Sequence, residues 1–223
     1  MKLTSAALWL NRFFSGYDSM FLGLQHRLAG SFGAVLTPLM KLVTLLGEKG
    51  LLLILLSLAL MCFRRTRWTG VCVFGAVACG AVFTNFLLKD AVARPRPFET
   101  VELYRQWWQM VGAPAEEGFS FPSGHVTAAA AGLTGLCLSE GRGWVLPSFL
   151  WVLLMAASRN YLMAHYPSDV LCAAVIGLIS GLIAWGITLL LRRFFRSHRQ
   201  LPLCRFVLGF DLGELAGRRR SRA

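Results

Sequence analysis

Long apolar stretches, separated by short polar connections, constrain the fold of this chain more than any other feature. The runs comprise residues 36–46 with 51–63, 71–88, 128–138, 144–157 and 170–191. A helix of about 20 mostly apolar residues crosses the hydrocarbon layer of a membrane, and it satisfies its own backbone hydrogen bonds inside lipid. The pattern therefore predicts an all-α integral membrane bundle with five or six transmembrane helices.

The composition and the layout of these runs predict a single domain. The chain has 223 residues, of which 56% are hydrophobic and 15% are charged, whereas soluble domains carry about 25% charged residues. We expect a membrane core at residues 47–192, an N-terminal segment at 1–46 and a basic tail at 193–223. The N-terminal segment mixes apolar and charged residues, which favours a surface amphipathic helix or a weakly hydrophobic first span over a cleaved signal peptide.

The net charge of +12 is concentrated in one loop and after the last apolar run. The basic residues there are Arg64, Arg65, Arg67, Arg192, Arg193, Arg196, Arg199, Arg205, Arg218, Arg219, Arg220 and Arg222. Positive residues in short loops and tails mark the cytoplasmic side of a membrane protein, so we expect a cytoplasmic C-terminus. Nucleic-acid binding is disfavoured, because the tail lacks interleaved aromatic residues and any recognisable binding module.

Three short polar clusters lie at the edges of the apolar runs. They are Lys89 with Arg94-Pro95-Arg96-Pro97, Pro122-Ser123-Gly124-His125, and Ser158-Arg159 with His165 and Asp169. With the loop at 64–67 inside, the span at 71–88 ends outside at Lys89, and the alternation of later spans brings all three clusters to that face. This agreement predicts one extracytoplasmic site whose cations, hydroxyl, imidazoles and carboxylate can hold and attack a phosphate.

The first cluster offers cations in fixed positions. A lysine at the end of a span, such as Lys89, can also reach the headgroups without binding any ligand. Pro95 and Pro97 stiffen the backbone and push Arg94 and Arg96 into extended geometry, which suits bidentate contact with phosphate oxygens. The residues alone leave open which of the two arginines points into the site.

The second and third clusters carry the reactive groups. Ser123 is a predicted N-cap, and the free amides of a helix start make an anion site beside which His125 is a candidate general acid. Asp169 is predicted in the first turn of the next helix, where it can accept a hydrogen bond from His165 and leave the other nitrogen as a nucleophile. Taken singly, each cluster is also consistent with an ordinary helix-capping turn.

Taken together, the clusters resemble the motifs of the type 2 phosphatidic acid phosphatase (PAP2) superfamily of membrane lipid phosphatases. The matching residues are Lys89 with Arg96-Pro97 for K-x6-RP, Pro122–His125 for PSGH, and Ser158-Arg159, His165 and Asp169 for SR-x5-H-x3-D. The resemblance covers about residues 47–191, and three ordered motifs are far more specific than one. It implies the helical core shared by PAP2 enzymes and vanadium haloperoxidases.

The resemblance also implies a phosphatase that works through a phosphohistidine without metal or other cofactor. In this scheme His165 attacks phosphorus, Asp169 orients it, and His125 protonates the leaving oxygen. The implied phosphate ligands are Lys89, Arg96, Ser123, Gly124 and Arg159. The six cysteines show no metal-ligand spacing, and the adjacent Glu116-Glu117 are expected to lie in a solvated loop.

The implied substrate is a membrane lipid with a phosphate or diphosphate at the headgroup level. The compact size resembles bacterial cell-membrane enzymes that convert undecaprenyl diphosphate to undecaprenyl phosphate in cell-wall biogenesis. Phosphatidylglycerol phosphate or phosphatidic acid is the alternative substrate, lipid phosphotransfer the alternative reaction, and a non-enzymatic scaffold is disfavoured by the intact motifs. Residues 103–111, with Trp107 and Trp108, favour either an amphipathic lid or an aromatic anchor. Nothing in the sequence indicates an oligomeric state.

Overall fold

A computed structural model of the protein describes residues 3–114 and 116–214, and these residues form helices and connections without a β-strand. The α-helices are α1 (Ser5–Phe13), α2 (Ser15–Leu46), α3 (Leu51–Met61), α4 (Arg67–Ala81), α5 (Lys89–Val92), α6 (Pro97–Thr100), α7 (Glu102–Val111), α8 (Gly124–Glu140), α9 (Val145–Tyr161), α10 (Pro167–Ser197) and α11 (Pro202–Gly209). A π-helical segment, Val82–Leu88, joins α4 to α5, and 3-10 turns occur at Glu48–Gly50 and Arg142–Trp144.

Three helical stretches of the described chain are long and apolar enough to cross a membrane, namely Ser15–Met61, Arg67–Thr100 and Pro167–Ser197. The helices α8 and α9, of 17 residues each, complete the bundle. Large apolar side chains point outward; Leu55 and Phe86, for example, are 54% and 78% exposed. Such exposure marks a surface that faces lipid. The predicted all-α membrane bundle is confirmed.

Small residues bring α8 and α10 into close contact at the centre of the bundle. A Cβ atom built on Gly177 would lie 2.6 Å from the Ala130 Cβ, and one built on Gly181 would lie 2.6 Å from the Thr134 Cβ. Lipid supplies no hydrophobic force between helices, so close packing of this kind holds them together. The contact also fixes the relative positions of the first turns of α8 and α10, where two of the three polar clusters lie.

The N-terminal segment packs onto this bundle, with α2 lying against α9. Residues near both ends of α2 contact the polar clusters, since Asp18 pairs with Arg94 and Thr44 Oγ1 lies 2.5 Å from Ser158 Oγ. This places α2 across one end of the bundle, which fits the surface helix among the two sequence alternatives. The apolar run is interrupted between α2 and α3, where Lys49 and Gly50 have φ angles of 49° and 70°. Left-handed backbone is readily adopted by glycine, and the resulting bend brings Glu48 next to the start of α8.

Two short helices lie on the surface of the bundle. The Trp107 ring of α7 stacks on His26 of α2 at 4.2 Å, which attaches α7 to the N-terminal segment. At the other end, part of the predicted basic tail folds as α11, and Arg67 donates a hydrogen bond to the Val207 carbonyl at 2.5 Å. The remaining tail arginines, Arg218, Arg219, Arg220 and Arg222, lie outside the described residues.

Candidate active site

The three polar clusters meet around a cavity of about 610 Å³ at one end of the bundle. The predicted site residues that line it are Lys89, Arg96, Gly124, His125 and His165. Ser123, Arg159 and Asp169 are fully buried. The structure thus brings five of the predicted residues to the cavity surface and keeps the other three inside the protein.

His165 has one imidazole nitrogen fixed and the other near a cation. It lies between α9 and α10, it is 2% exposed, and its Nδ1 donates to the Ser120 carbonyl at 2.6 Å. Nε2 therefore carries the free lone pair, 3.5 Å from Arg96 Nη1. Burial, and then the charge of Arg159, lowers the pKa of His165 well below its ordinary value. The imidazole is consequently neutral, which is the form that attacks phosphorus.

Asp169 supports His165 through Ser120, and the direct hydrogen bond that we expected between the two is not made. Asp169 Oδ2 accepts from Ser120 Oγ at 2.5 Å and from the Tyr166 N–H at 3.0 Å. Asp169 Oδ1 accepts from Arg94 Nη1 at 2.5 Å. Ser120 therefore connects the two residues: its carbonyl accepts from the His165 imidazole, and its hydroxyl donates to the Asp169 carboxylate. No sequence motif marks Ser120, which is why sequence reasoning missed it.

The two arginines of the first cluster have different surroundings. Arg94 is 1% exposed and pairs with Asp169 and with Asp18, whose Oδ2 lies 2.8 Å from Nη2. The Arg94 guanidinium also lies over the Tyr166 ring, 3.9 Å from its centroid. Arg96 lines the cavity instead. Arg94 is therefore a structural residue, and Arg96 is the candidate phosphate ligand.

Glu116 lies between two predicted phosphate ligands, and the solvated-loop prediction is wrong for it. Its Oε2 accepts from Arg96 Nη1 at 3.1 Å, and its Oε1 accepts from Arg159 Nη2. Burial alone would raise the pKa of Glu116, but the charges of Arg159 and Arg96 lower it below its ordinary value. Glu117 is exposed, as predicted. Nothing in the local pattern distinguishes the two glutamates, so the sequence carried no signal for this contact.

The start of α8 presents further groups to the site. Ser123 occupies the N-cap position, as predicted, but its buried hydroxyl has no partner among the described residues. It keeps its hydrogen-bonding capacity for a ligand, as do the first amides of α8. His125 Nε2 lies 3.3 Å from Glu48 Oε2. This contact depends on the bend between α2 and α3, which no sequence motif predicts.

An apolar groove of about 210 Å³ adjoins the polar cavity. It is lined by Leu46, Gly47, Gly50, Leu52, Leu53, Leu56, His125, Ala129, Leu133 and Trp151. Leu52 and Leu56 are 51% and 41% exposed, so the groove lies on the lipid-facing surface. His125 lines both the cavity and the groove. It therefore lies where a phosphate in the cavity would join an apolar chain in the groove.

Comparison with known proteins assigns this arrangement to a family. The PAP2 superfamily matches residues 70–193, which is more than half of the chain and includes all three clusters. The chain belongs to the PAP2 superfamily. Because the members of this family and the named relatives are phosphatases, this PAP2 protein is a membrane phosphatase.

Two relatives of this PAP2 phosphatase have names that refer to prenyl lipids, and one solved structure is similar to it in fold. Undecaprenyl-diphosphatase BcrC of Bacillus subtilis (strain 168) is 30% identical over 173 residues, 77% of this chain and 82% of that protein. Decaprenylphosphoryl-5-phosphoribose phosphatase of Mycobacterium tuberculosis is 35% identical over 133 residues, 60% of this chain and 68% of that protein. The crystal structure of Aquifex aeolicus LpxE is similar, with a TM-score of 0.61 at 27% identity over 73% of this chain and 93% of that one.

A further solved structure shares the fold. It is a transmembrane PAP2 type phosphatidylglycerolphosphate phosphatase from Bacillus subtilis, with a TM-score of 0.60 at 21% identity over 82% of this chain and 89% of that one. At this identity the likeness shows the fold alone. The comparisons thus confirm the family and the phosphatase class, and they leave the choice of lipid to the site itself.

Proposed function

We propose that this membrane phosphatase hydrolyses undecaprenyl diphosphate to undecaprenyl phosphate. The observation that carries the proposal is the position of His125 between a polar cavity, lined by Lys89 and Arg96, and an apolar groove. The diphosphate would occupy the cavity, and the first part of the prenyl chain would occupy the groove. The similarity to Bacillus subtilis undecaprenyl-diphosphatase BcrC over 77% of this chain supports the same substrate.

The residues support a two-step mechanism. His165 Nε2 attacks the terminal phosphorus; as the N–P bond forms, the bond to the bridging oxygen breaks, and His125 gives that oxygen a proton. Lys89, Arg96 and Arg159, with Ser123, Gly124 and the first amides of α8, hold the phosphoryl oxygens and supply the positive charge that phosphoryl transfer requires. Water, which loses its proton to His125, then attacks the phosphohistidine and releases inorganic phosphate.

The distribution of arginines supports an extracytoplasmic site in a bacterial cell membrane. The loop before α4 and the end of α10 both carry arginines, and both lie at the end of the bundle opposite Lys89. By the positive-inside rule, that end faces the cytoplasm. The C-terminus would then be cytoplasmic, and the cavity would open at the outer headgroup level.

Phosphate release by the purified protein in detergent with EDTA tests the proposal. Undecaprenyl diphosphate, phosphatidylglycerol phosphate and phosphatidic acid are compared, with His165→Ala as the control. We expect EDTA-resistant, His165-dependent release that is fastest from the prenyl lipid. Release from the glycerolipids alone would show that the substrate is a glycerolipid and would leave the proposed mechanism unchanged. Transfer of the phosphoryl group to an added alcohol acceptor would indicate a phosphotransferase.

A further inference from the structure

Glu116 uses the donors that a substrate phosphate needs. Its partners Arg96 and Arg159 are 2% and 0% exposed, and they share its carboxylate. Arg96 also binds the backbone that follows Glu116: its Nε donates to the Gly118 carbonyl and its Nη2 to the Glu117 carbonyl, each at 3.0 Å. Guanidinium groups bind carboxylates and phosphates with the same fork of N–H donors. A phosphoryl group therefore competes with Glu116 for both arginines.

We propose that Glu116 is a built-in competitor of the substrate phosphate and that residues 116–118 leave the arginines before lipid binds. The proposal rests on the proposed phosphatase site and adds a control of its occupancy. Two anions at the same pair of guanidiniums repel each other, so a site closed by Glu116 excludes the phosphoryl group. The apparent affinity for phosphate is then lowered by the fraction of molecules in the closed state.

Binding of inorganic phosphate to the full-length protein in detergent, measured by calorimetry, tests the competition without lipid turnover. Glu116→Gln keeps the size of the side chain and removes its charge, while Glu102→Gln removes the same charge from an exposed residue that does not line the cavity. We expect phosphate to bind roughly tenfold more tightly to Glu116→Gln, as expected for a lost charge-assisted contact. Glu102→Gln is expected to change binding less than about twofold, because its charge is screened by solvent.

Unchanged or weaker phosphate binding in Glu116→Gln would overturn the proposal and make Glu116 a residue that only orders the arginines. If that variant does not fold, Glu116→Asp replaces it, since the shorter side chain cannot reach both arginines and is also expected to bind phosphate more tightly than wild type. Equal binding there would overturn the proposal as well. Tighter phosphate binding without any lipid hydrolysis would refute the proposed function alone.

A second cavity, of about 880 Å³, lies at the opposite end of the bundle. Its basic lining residues are Arg64, Arg65, Arg67, Arg192, Arg196 and Arg199. Glu140 is the one acidic residue among its described lining residues, and it accepts a hydrogen bond from Thr69. Arg67 donates to backbone carbonyls, whereas the Nε of Arg192 is buried and has no partner in the described part of the chain.

We infer that this basic cavity binds the phosphate of an anionic lipid in the adjacent leaflet. Arginines from two separate parts of the chain line this cavity and surround one volume. A basic tail, in contrast, attracts anionic lipid without forming a defined site. Trp68 and Trp185 also line the cavity, and tryptophan is typical of the membrane interface. Exposed Leu203 and Phe206 place an apolar surface on the neighbouring α11. Basic pockets between membrane helices are known binding sites for anionic headgroups.

Native mass spectrometry of the full-length protein with cardiolipin or phosphatidylcholine tests this site. Arg192→Gln with Arg196→Gln removes two lining charges, and Arg193→Gln with Arg205→Gln removes two that do not line the cavity. We expect preferential cardiolipin binding that falls roughly tenfold or more in the first pair and is retained in the second.

Equal losses in both double variants, or no preference for cardiolipin over phosphatidylcholine, would overturn the inference in favour of diffuse attraction. Displacement of cardiolipin by inorganic phosphate would assign the cavity to free phosphate and overturn the lipid assignment. Phosphatase activity checks that each variant is folded. If the first pair does not fold, Arg196→Gln alone, at an exposed position, is compared with Arg193→Gln under the same criteria.

Discussion

Replacing Asp18 with alanine tests whether the N-terminal segment stabilises the structure around the site. Asp18 is 4% exposed. Its Oδ2 accepts from Arg94 Nη2 and from Ser168 Oγ, and its Oδ1 accepts from the Ser168 N–H, each at 2.8 Å. The alanine variant loses all three contacts. It leaves the buried Arg94 guanidinium with Asp169 as its remaining acidic partner.

The size of the effect follows from these contacts. A hydrogen bond to a charged group contributes about 1.5–3 kcal/mol, but three bonds on one side chain are not additive. Removing one partner of a buried ion pair costs about 3–5 kcal/mol. We therefore expect Asp18→Ala to lower the free energy of unfolding by about 3–5 kcal/mol, which corresponds to a fall of about 6–20 °C in Tm for a chain of this length.

The assay is thermal unfolding in one detergent, followed by tryptophan fluorescence. Asp90→Ala is the matched control, because Asp90 is exposed, and it should leave Tm nearly unchanged. Asp18→Asn should fall between the two, since the amide can keep an acceptor for Ser168 and loses the charge opposite Arg94. A Tm of Asp18→Ala within about 1 °C of wild type would refute the reasoning, because it would show that Asp169 alone satisfies the buried guanidinium.

Three further predictions concern the chemistry, the pH dependence and the packing. His125→Ala is expected to lower kcat by about 10²–10⁴-fold as a lost general acid, and a change confined to KM would contradict that role. Because the pKa of His165 is well below its ordinary value, the acidic limb of kcat/KM should lie below about pH 6.5, and a limb above that pH would argue against a neutral nucleophile. The free energy of unfolding should also fall as the pH drops below about 6.5, because the imidazole of the unfolded chain then binds a proton and that of the folded protein does not. Gly177→Ala should destabilise the protein by about 1–3 kcal/mol, since its Cβ would lie 2.6 Å from that of Ala130, whereas Gly186→Ala meets nothing within 4 Å; equal Tm values for the two variants would contradict the packing argument.

Local patterns allowed the fold and most of the site to be predicted from the sequence. The apolar runs mark the helices because span length is set by the lipid. The three motifs mark the cavity residues because each places several polar groups on a few neighbouring positions. His125 and Arg96, for example, line the cavity as the motif resemblance predicts.

Contacts between distant parts of the chain were not predictable in this way. Glu48 reaches His125 only because the chain bends after α2, and Asp18 reaches Arg94 across 76 positions. Ser120 connects Asp169 to His165 through a carbonyl on one side and a hydroxyl on the other. Each of these contacts is made by a single polar residue that belongs to no periodic pattern in the sequence, and the tertiary packing determines its partner.

The apolar groove beside His125 has a consequence for how the enzyme meets its substrate. Because the groove lies on the lipid-facing surface of the bundle, a lipid can approach by sideways diffusion within the bilayer and keep its tail in hydrocarbon throughout. The quantity that sets occupancy is then the mole fraction of substrate among the surrounding lipids, not its amount per volume of water. Diluting the membrane with inert lipid should slow the reaction, whereas adding buffer should not.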